Sequence, residues 1–368
     1  MAGNEEVALA PRRAEHFELL QAYRGIAAAA VVLDHLHFQS GLYQGPGLLP
    51  EAFRYGHLGV DFFFVLSGFI IQHVHGADAG HPERAGDYLW RRVARIWPLL
   101  ALLTTLKLAY MLVSGAGVRA EKFDPRVIVA SYLCLPQPGW PVLDIAWTLQ
   151  HEALFYALFL VPILLGRGAW RVLLALWMGL IALGIAGVVP RTFPLSFLAS
   201  PWNAEFALGV GASVWIRSRP PDVRGAVRLL ALTVLLLGVG TALYTRAHTT
   251  EEKAVRLVLA LGLMTGVVAS VTLERAGRLR APGWLKRLGD GSYSLYLWHG
   301  FVIGAALTAW PRLPASIRAA PRLYLAACLV VTFVSSSLLH RWVERPLSAG
   351  FRGLRAKRGA RSGTGEAG

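Results

Sequence analysis

The stretch RGIAAAAVVLDH, Arg24 to His35, carries an arginine at one end of an apolar run and an Asp-His pair at the other. On an α-helix eleven residues advance the chain by about 1100°, three turns plus about 20°, so Arg24 and His35 share a face roughly 16 Å apart along the axis. That separation is about half the hydrocarbon thickness of a bilayer. Histidine is the side chain suited to proton transfer near neutrality, which makes His35 a candidate base. Asp34 is a candidate catalytic carboxylate beside it, although adjacent helical residues point about 100° apart. The competing reading is a core histidine bonded to a backbone carbonyl, with Arg24 extending to the interface. The shared face favours chemistry.

Ionisable groups within apolar spans are costly and tend to line cavities or pathways. In GHLGVDFFFVLSGFIIQHVH (56–75), Ser67-Gly68 lies mid-span, where small residues let helices approach closely. No GxSxG elbow surrounds Ser67, so it is a candidate substrate contact and not a nucleophile. His73 and His75 are expected at the interface. WRRVARIWP (90–98) places Arg92 and Arg95 at i, i+3, on one helical face. Guanidinium forks match phosphate oxygens, although either arginine alone reads equally as a cytoplasmic anchor. WTLQHEALFY (147–156) offers Trp147, Glu152 and Tyr156. Trp and Tyr are expected at a membrane boundary, whereas a glutamate there suggests an acceptor-side polar pocket. His299, within GDGSYSLYLWHG (289–300), is a further candidate lining residue. In HRWVERP (340–346), Pro346 reads as a helix stop.

The elements that must position these residues are transmembrane helices. Of 368 residues, 55% are hydrophobic and 16% charged, against about a quarter charged in a soluble domain, and the mean hydropathy is +0.46. The expected fold is all-α and polytopic, with about ten spans near 20–38, 58–76, 94–114, 147–166, 170–189, 196–216, 226–245, 254–273, 291–310 and 323–343. With both termini cytoplasmic, the inside segments hold 24 Lys or Arg and the outside segments 11, as the positive-inside rule requires. The net charge of +15 is thereby explained by loops flanking spans, and nucleic-acid binding is not expected. VIVASYLCL (127–135) is too short to span and should re-enter the membrane or pack beneath the following helix. The two cysteines imply neither a disulfide framework nor a metal site, and no metal-ligand spacing is present. The expected organisation is a cytoplasmic tail over 1–18 without a signal-peptide core, a membrane domain over 19–346 and a basic, disordered tail over 347–368. A multi-pass protein of the cell (inner or plasma) membrane follows.

Together these motifs resemble the acyltransferase 3 family of integral membrane acyltransferases. The arginine, ten residues and histidine of its first span match Arg24 to His35, its FFxLSG stretch matches Phe63 to Gly68, and its RxxR pair matches Arg92 and Arg95. WTLxxExxFY matches Trp147, Glu152, Phe155 and Tyr156, and SYSLYLWH matches Ser292 to His299. The resemblance covers roughly residues 19–346 and is greatest to members that acylate bacterial exopolysaccharides. It implies transfer of an acyl group from cytoplasmic acyl-CoA, with acetyl-CoA the expected donor, to a hydroxyl of a polysaccharide or lipid-linked sugar. It casts His35 as general base or transient acyl acceptor and Arg24, Arg92 and Arg95 as contacts to the CoA phosphates or acyl carbonyl. Glu152, Trp147 and Tyr156 would shape the acceptor side. One position departs from the family: His151 stands where many members carry a second acidic residue.

Two other function classes fit the spans. A transporter or flippase of a glycan or lipid would also carry buried charges, but no repeated half or matched pair of broken helices is visible. A structural or sensory membrane protein leaves the Arg24–His35 pair unaccounted for.

Overall fold

The computed structural model describes residues 17–114, 120–246 and 249–362, which are helical without strands. The long helices are α1 (Glu18–Gln44), α2 (Leu58–His75), α3 (Ala85–Ser114), α4 (Trp147–Leu158), α5 (Leu160–Ile185), α6 (Trp202–Ser218), α7 (Val223–Tyr244), α8 (Thr249–Arg275), α9 (Ser292–Ala309), α10 (Pro321–Leu339) and α11 (Arg345–Ser362). The chain is an all-α polytopic membrane protein. Among the described residues six stretches are long and apolar enough to cross a bilayer: Glu51–His75, Pro82–Val113, Leu160–Ile185, Val223–Tyr244, Ala254–Arg275 and Pro321–Gly353. The other four expected spans are helical but shorter or more polar. These are α1, α4, α6 and α9, and they carry Arg24, His35, Glu152, Glu205 and His299. The helices least suited to lipid therefore bear both candidate histidines and Arg24, while Ser67, Arg92 and Arg95 lie on the more apolar α2 and α3.

The boundary expected between spans 147–166 and 170–189 falls at Gly166, inside α5. Its φ of 84° is left-handed, a region glycine enters without steric penalty. Phe159 and Trp170 have ring centroids 5.5 Å apart, whereas a straight helix would separate them by roughly 16 Å. The chain reverses there.

Loops assigned to one side by charge meet one another. Glu18 N–H donates to Glu274 (2.6 Å), Lys286 pairs with Glu18 (2.9 Å), and Gly80 N–H donates to the Pro162 carbonyl (2.9 Å). At the opposite end Arg322 Nε donates to the Leu48 carbonyl (3.3 Å) and Arg256 pairs with buried Asp61 (2.5 Å). We refer to the first end as the basic face.

Helix α2 lies closely against α6, because a β-carbon on Gly68 would collide with the Phe206 carbonyl and one on Gly209 with the Val65 carbonyl. Without a hydrophobic driving force between helices in lipid, such close approach and ring packing supply the association. Phe64 and Phe155 both pack on Phe206, each with centroids 4.7 Å apart. This contact fixes α2, α4 and α6 as one unit and turns Ser67 toward α4.

Four expectations are corrected or sharpened. Pro346 does not stop the helix: it sits at the second residue of α11, after a π-helical turn at His340–Glu344, where no N–H is needed. Backbone helix continues to Ser362, in contrast to the disordered tail expected from 347, while residues 1–16 and 363–368 lie outside the described residues. His73 and His75, in the last turn of α2, are buried within the protein; His73 stacks on Phe69, and His75 bonds Asp78 (2.8 Å) and packs on Tyr88. The segment after α3 forms the short helix Pro125–Leu133, tied to α4 by Gln150 Nε2 donating to the Leu135 carbonyl (2.8 Å).

Candidate active site

Helix α9 gathers both ends of the Arg24–His35 face. At the deeper end, His299 Nε2 lies 2.9 Å from His35 Nδ1, and the two rings stack with centroids 4.9 Å apart. His299 is fully buried, and its Nδ1 lies 3.2 Å from the Leu295 carbonyl. A carbonyl only accepts, so His299 Nδ1 carries the proton and its Nε2 accepts from His35 Nδ1–H. The chain of bonds therefore fixes His35 in the tautomer whose Nε2 holds a lone pair. No described side chain bonds that Nε2, and the ring is only partly buried. An imidazole oriented in this way presents the free lone pair that proton abstraction requires.

At the other end, Arg24 lines a cavity. Arg92 and Arg95 from α3, Ser67 from α2, Glu152 and Tyr156 from α4, and Tyr293 and Tyr296 from α9 complete its polar wall. Glu152 Oε1 accepts from Ser67 Oγ (2.8 Å) and from the Tyr156 hydroxyl. The Arg92 guanidinium sits 5.7 Å from the Tyr156 ring centroid, while its Nε and the Ser292 hydroxyl are buried without a hydrogen-bond partner. Three arginines thus face one carboxylate that is already engaged, which leaves donors for an anionic or carbonyl-bearing guest. The remaining wall is apolar, with Val60, Phe64, Leu66 and Ile70 among its residues.

His35 lines neither this cavity nor the vestibule beside it. One aromatic layer lies next to the histidine pair: Phe63 and Tyr296 form the cavity wall with centroids 6.0 Å apart, and the Tyr296 ring is 6.0 Å from His299. Tyr296 is held by Thr148 Oγ1 (2.9 Å) and the Ile145 carbonyl (3.2 Å).

The structure brings together Arg24, Arg92, Arg95, Ser67, Glu152 and Tyr156, and pairs His35 with His299. It does not bring Asp34 to them. Asp34 turns toward Gly56, its Cβ against that glycine, and makes no hydrogen bond to His35. Helical phase is the reason, since neighbours diverge by about 100°. Trp147 also lies outside the cavity, packed on Trp202 (centroids 4.5 Å) and Phe64. Glu152 and Tyr156 face the arginines, so they form part of the same chamber and not a separate pocket at the opposite end. His151, in the place of the family's second acid, bonds Asn203 (2.8 Å) and stacks on Phe197, away from the cavity. Sequence reasoning missed Tyr293 and Tyr296, although the successive three-residue steps from Tyr293 to Tyr296 and from Tyr296 to His299 on one helix carry the signal. Among the described residues no group of His, Cys, Asp and Glu could hold a metal ion.

The sequence profile of an acyltransferase domain matches residues 19–341. The exopolysaccharide production protein ExoZ of Rhizobium meliloti (strain 1021) is 30% identical over 312 residues, covering 80% of this chain and 90% of the relative. The acyltransferase MdmB of Streptomyces mycarofaciens is 28% identical, covering 91% of this chain and 92% of the relative. A putative membrane-bound transacylase, BcsY of Komagataeibacter xylinus, is 25% identical, covering 86% and 80%. No solved structure matches the chain.

Proposed function

Because the chain belongs to the acyltransferase 3 family and is a membrane acyltransferase, we propose that it moves an acyl group, acetyl by preference, from cytoplasmic acyl-CoA to a hydroxyl of a polysaccharide or lipid-linked sugar. The observation that carries this reading is the hydrogen-bonded His35–His299 pair, one aromatic layer beyond an arginine-lined cavity. The donor enters from the basic face, with Arg24, Arg92 and Arg95 against its polar groups. Its thioester advances past Phe63 and Tyr296 to His35. The acceptor hydroxyl oxygen attacks the thioester carbonyl as His35 Nε2 takes the hydroxyl proton. The C–S bond then breaks, and the imidazolium returns that proton to the departing thiolate. A positioned base of this kind contributes about 10²–10⁴ in rate.

The basic face is assigned to the cytoplasm by the charge bias, and the membrane is the cell membrane. The relative named for exopolysaccharide production supports a carbohydrate acceptor. A glycan mass spectrum from cells with and without the protein tests the reading: a gain of one acetyl per repeat, lost in His35→Ala, is expected. An unchanged spectrum, together with glycan flux in proteoliposomes lacking any acyl donor, would instead favour a transporter.

A further inference from the structure

Beside the donor cavity, at the basic face, lies a second, wider space, and Arg24, Arg95 and Tyr293 line both. Arg341, Arg345 and Arg352 add three guanidinium groups to its wall. Its two acids, Asp290 and Glu344, are already engaged: Asp290 accepts from Gln21 Nε2 (2.8 Å), and Glu344 accepts from Ser294 Oγ (2.6 Å) and from His340 Nδ1 (2.8 Å). Arg341, Arg345, Arg352 and Arg95 have no hydrogen-bond or ion-pair partner among the described residues. Five arginines against two occupied carboxylates make this space an anion trap.

The trap is built into the fold. Phe351 anchors α11 to α3 by packing between Trp90 and Trp97, with centroids at 6.3 and 5.6 Å. The π turn that precedes α11 is pinned to α9 through Glu344 and Ser294, and such turns recur at functional sites. Arg345 and Arg352, seven residues apart on α11, share one helical face.

We propose that this vestibule, through Arg341, Arg345 and Arg352, binds the phosphate groups of the nucleotide end of the acyl donor. The site rests on the acyl-CoA reading above. It assigns the phosphates to the C-terminal helix and leaves Arg24 and Arg92, deeper in, for the pantetheine amides. Phosphates held here keep contact with water, while the extended arm runs along the Arg24–His35 face. A phospholipid headgroup presents the same phosphate chemistry, so the test must separate the two sources.

The experiment compares wild-type protein with R341Q/R345Q/R352Q, using acetyl-CoA or S-acetylpantetheine as donor, in lipid-free detergent micelles and in nanodiscs of zwitterionic or anionic lipid. With acetyl-CoA, KM for the variant should rise by about tenfold or more, since charge-assisted bonds are lost. kcat should hold, and the S-acetylpantetheine kinetics should match the wild type in every environment. Direct titration with CoA should show the same weakening. An unchanged KM for acetyl-CoA in the variant, while the wild type turns it over, overturns the vestibule site and leaves the donor reading intact. A defect seen only in anionic nanodiscs overturns it in favour of a lipid headgroup. A wild-type protein that neither binds CoA nor uses acetyl-CoA overturns the donor reading, and the phosphate site with it.

Discussion

Replacing His299 tests the tautomer argument. In His299→Phe the ring still stacks beside His35, where the native centroids are 4.9 Å apart, but the acceptor 2.9 Å from His35 Nδ1 is gone. The Leu295 carbonyl loses only a secondary bond at 3.2 Å within its own helix, so the fold should survive. His35 Nδ1–H then loses its side-chain acceptor, at a cost of about 1–3 kcal/mol. The ring escapes that cost by moving its proton to Nε2, which removes the lone pair needed for base catalysis. At about 1.4 kcal/mol per decade, turnover should fall about 5- to 150-fold. His299→Gln restores an acceptor through its amide oxygen and should recover most of the rate. The assay is transfer of radiolabelled acetyl from acetyl-CoA to membrane glycan, with protein level and monodispersity as controls. Wild-type turnover in His299→Phe would refute the reasoning, because the bond would then not set the base.

Further substitutions follow from the same geometry. Glu152→Gln keeps an acceptor for Ser67 and Tyr156 but removes the charge facing three arginines; kcat/KM should drop by about tenfold or more, measured in the transfer assay. Asp34→Asn should leave turnover unchanged, since Asp34 makes no bond to His35 and lines neither cavity. Gly68→Val forces a side chain into the Phe206 backbone, and overpacking of about 1–3 kcal/mol should lower Tm in a detergent melting assay. Gly41→Ala, whose β-carbon meets nothing within 4 Å, should not lower it.

What the sequence made legible follows from helical phase. Arg24 and His35 do share a face, because the phase of eleven residues is independent of tertiary context; α9 meets both ends of it. Arg92 and Arg95 were readable for the same reason. The partner of His35 was not, because it lies 264 residues away and depends on how α9 docks. Asp34 drew attention by adjacency, which on a helix points away and not together. Trp147 packs on Trp202 and does not line the cavity, and the convergence of Arg341, Arg345 and Arg352 with Arg24 and Arg95 depends on how the last helix docks. The periodicity also marks α1 and α9 as crossings, near 20–38 and 291–310, although both fall outside the six most apolar stretches.

The central claim is that His35 is the base for acyl transfer. Its most direct test is purified protein in proteoliposomes, supplied with acetyl-CoA and a glycan acceptor and followed by release of free CoA thiol. The wild type should release thiol in step with glycan acylation, and His35→Ala, folded and still binding CoA, should lose about 10²-fold or more of that rate. Equal thiol release and glycan acylation in His35→Ala would contradict the account.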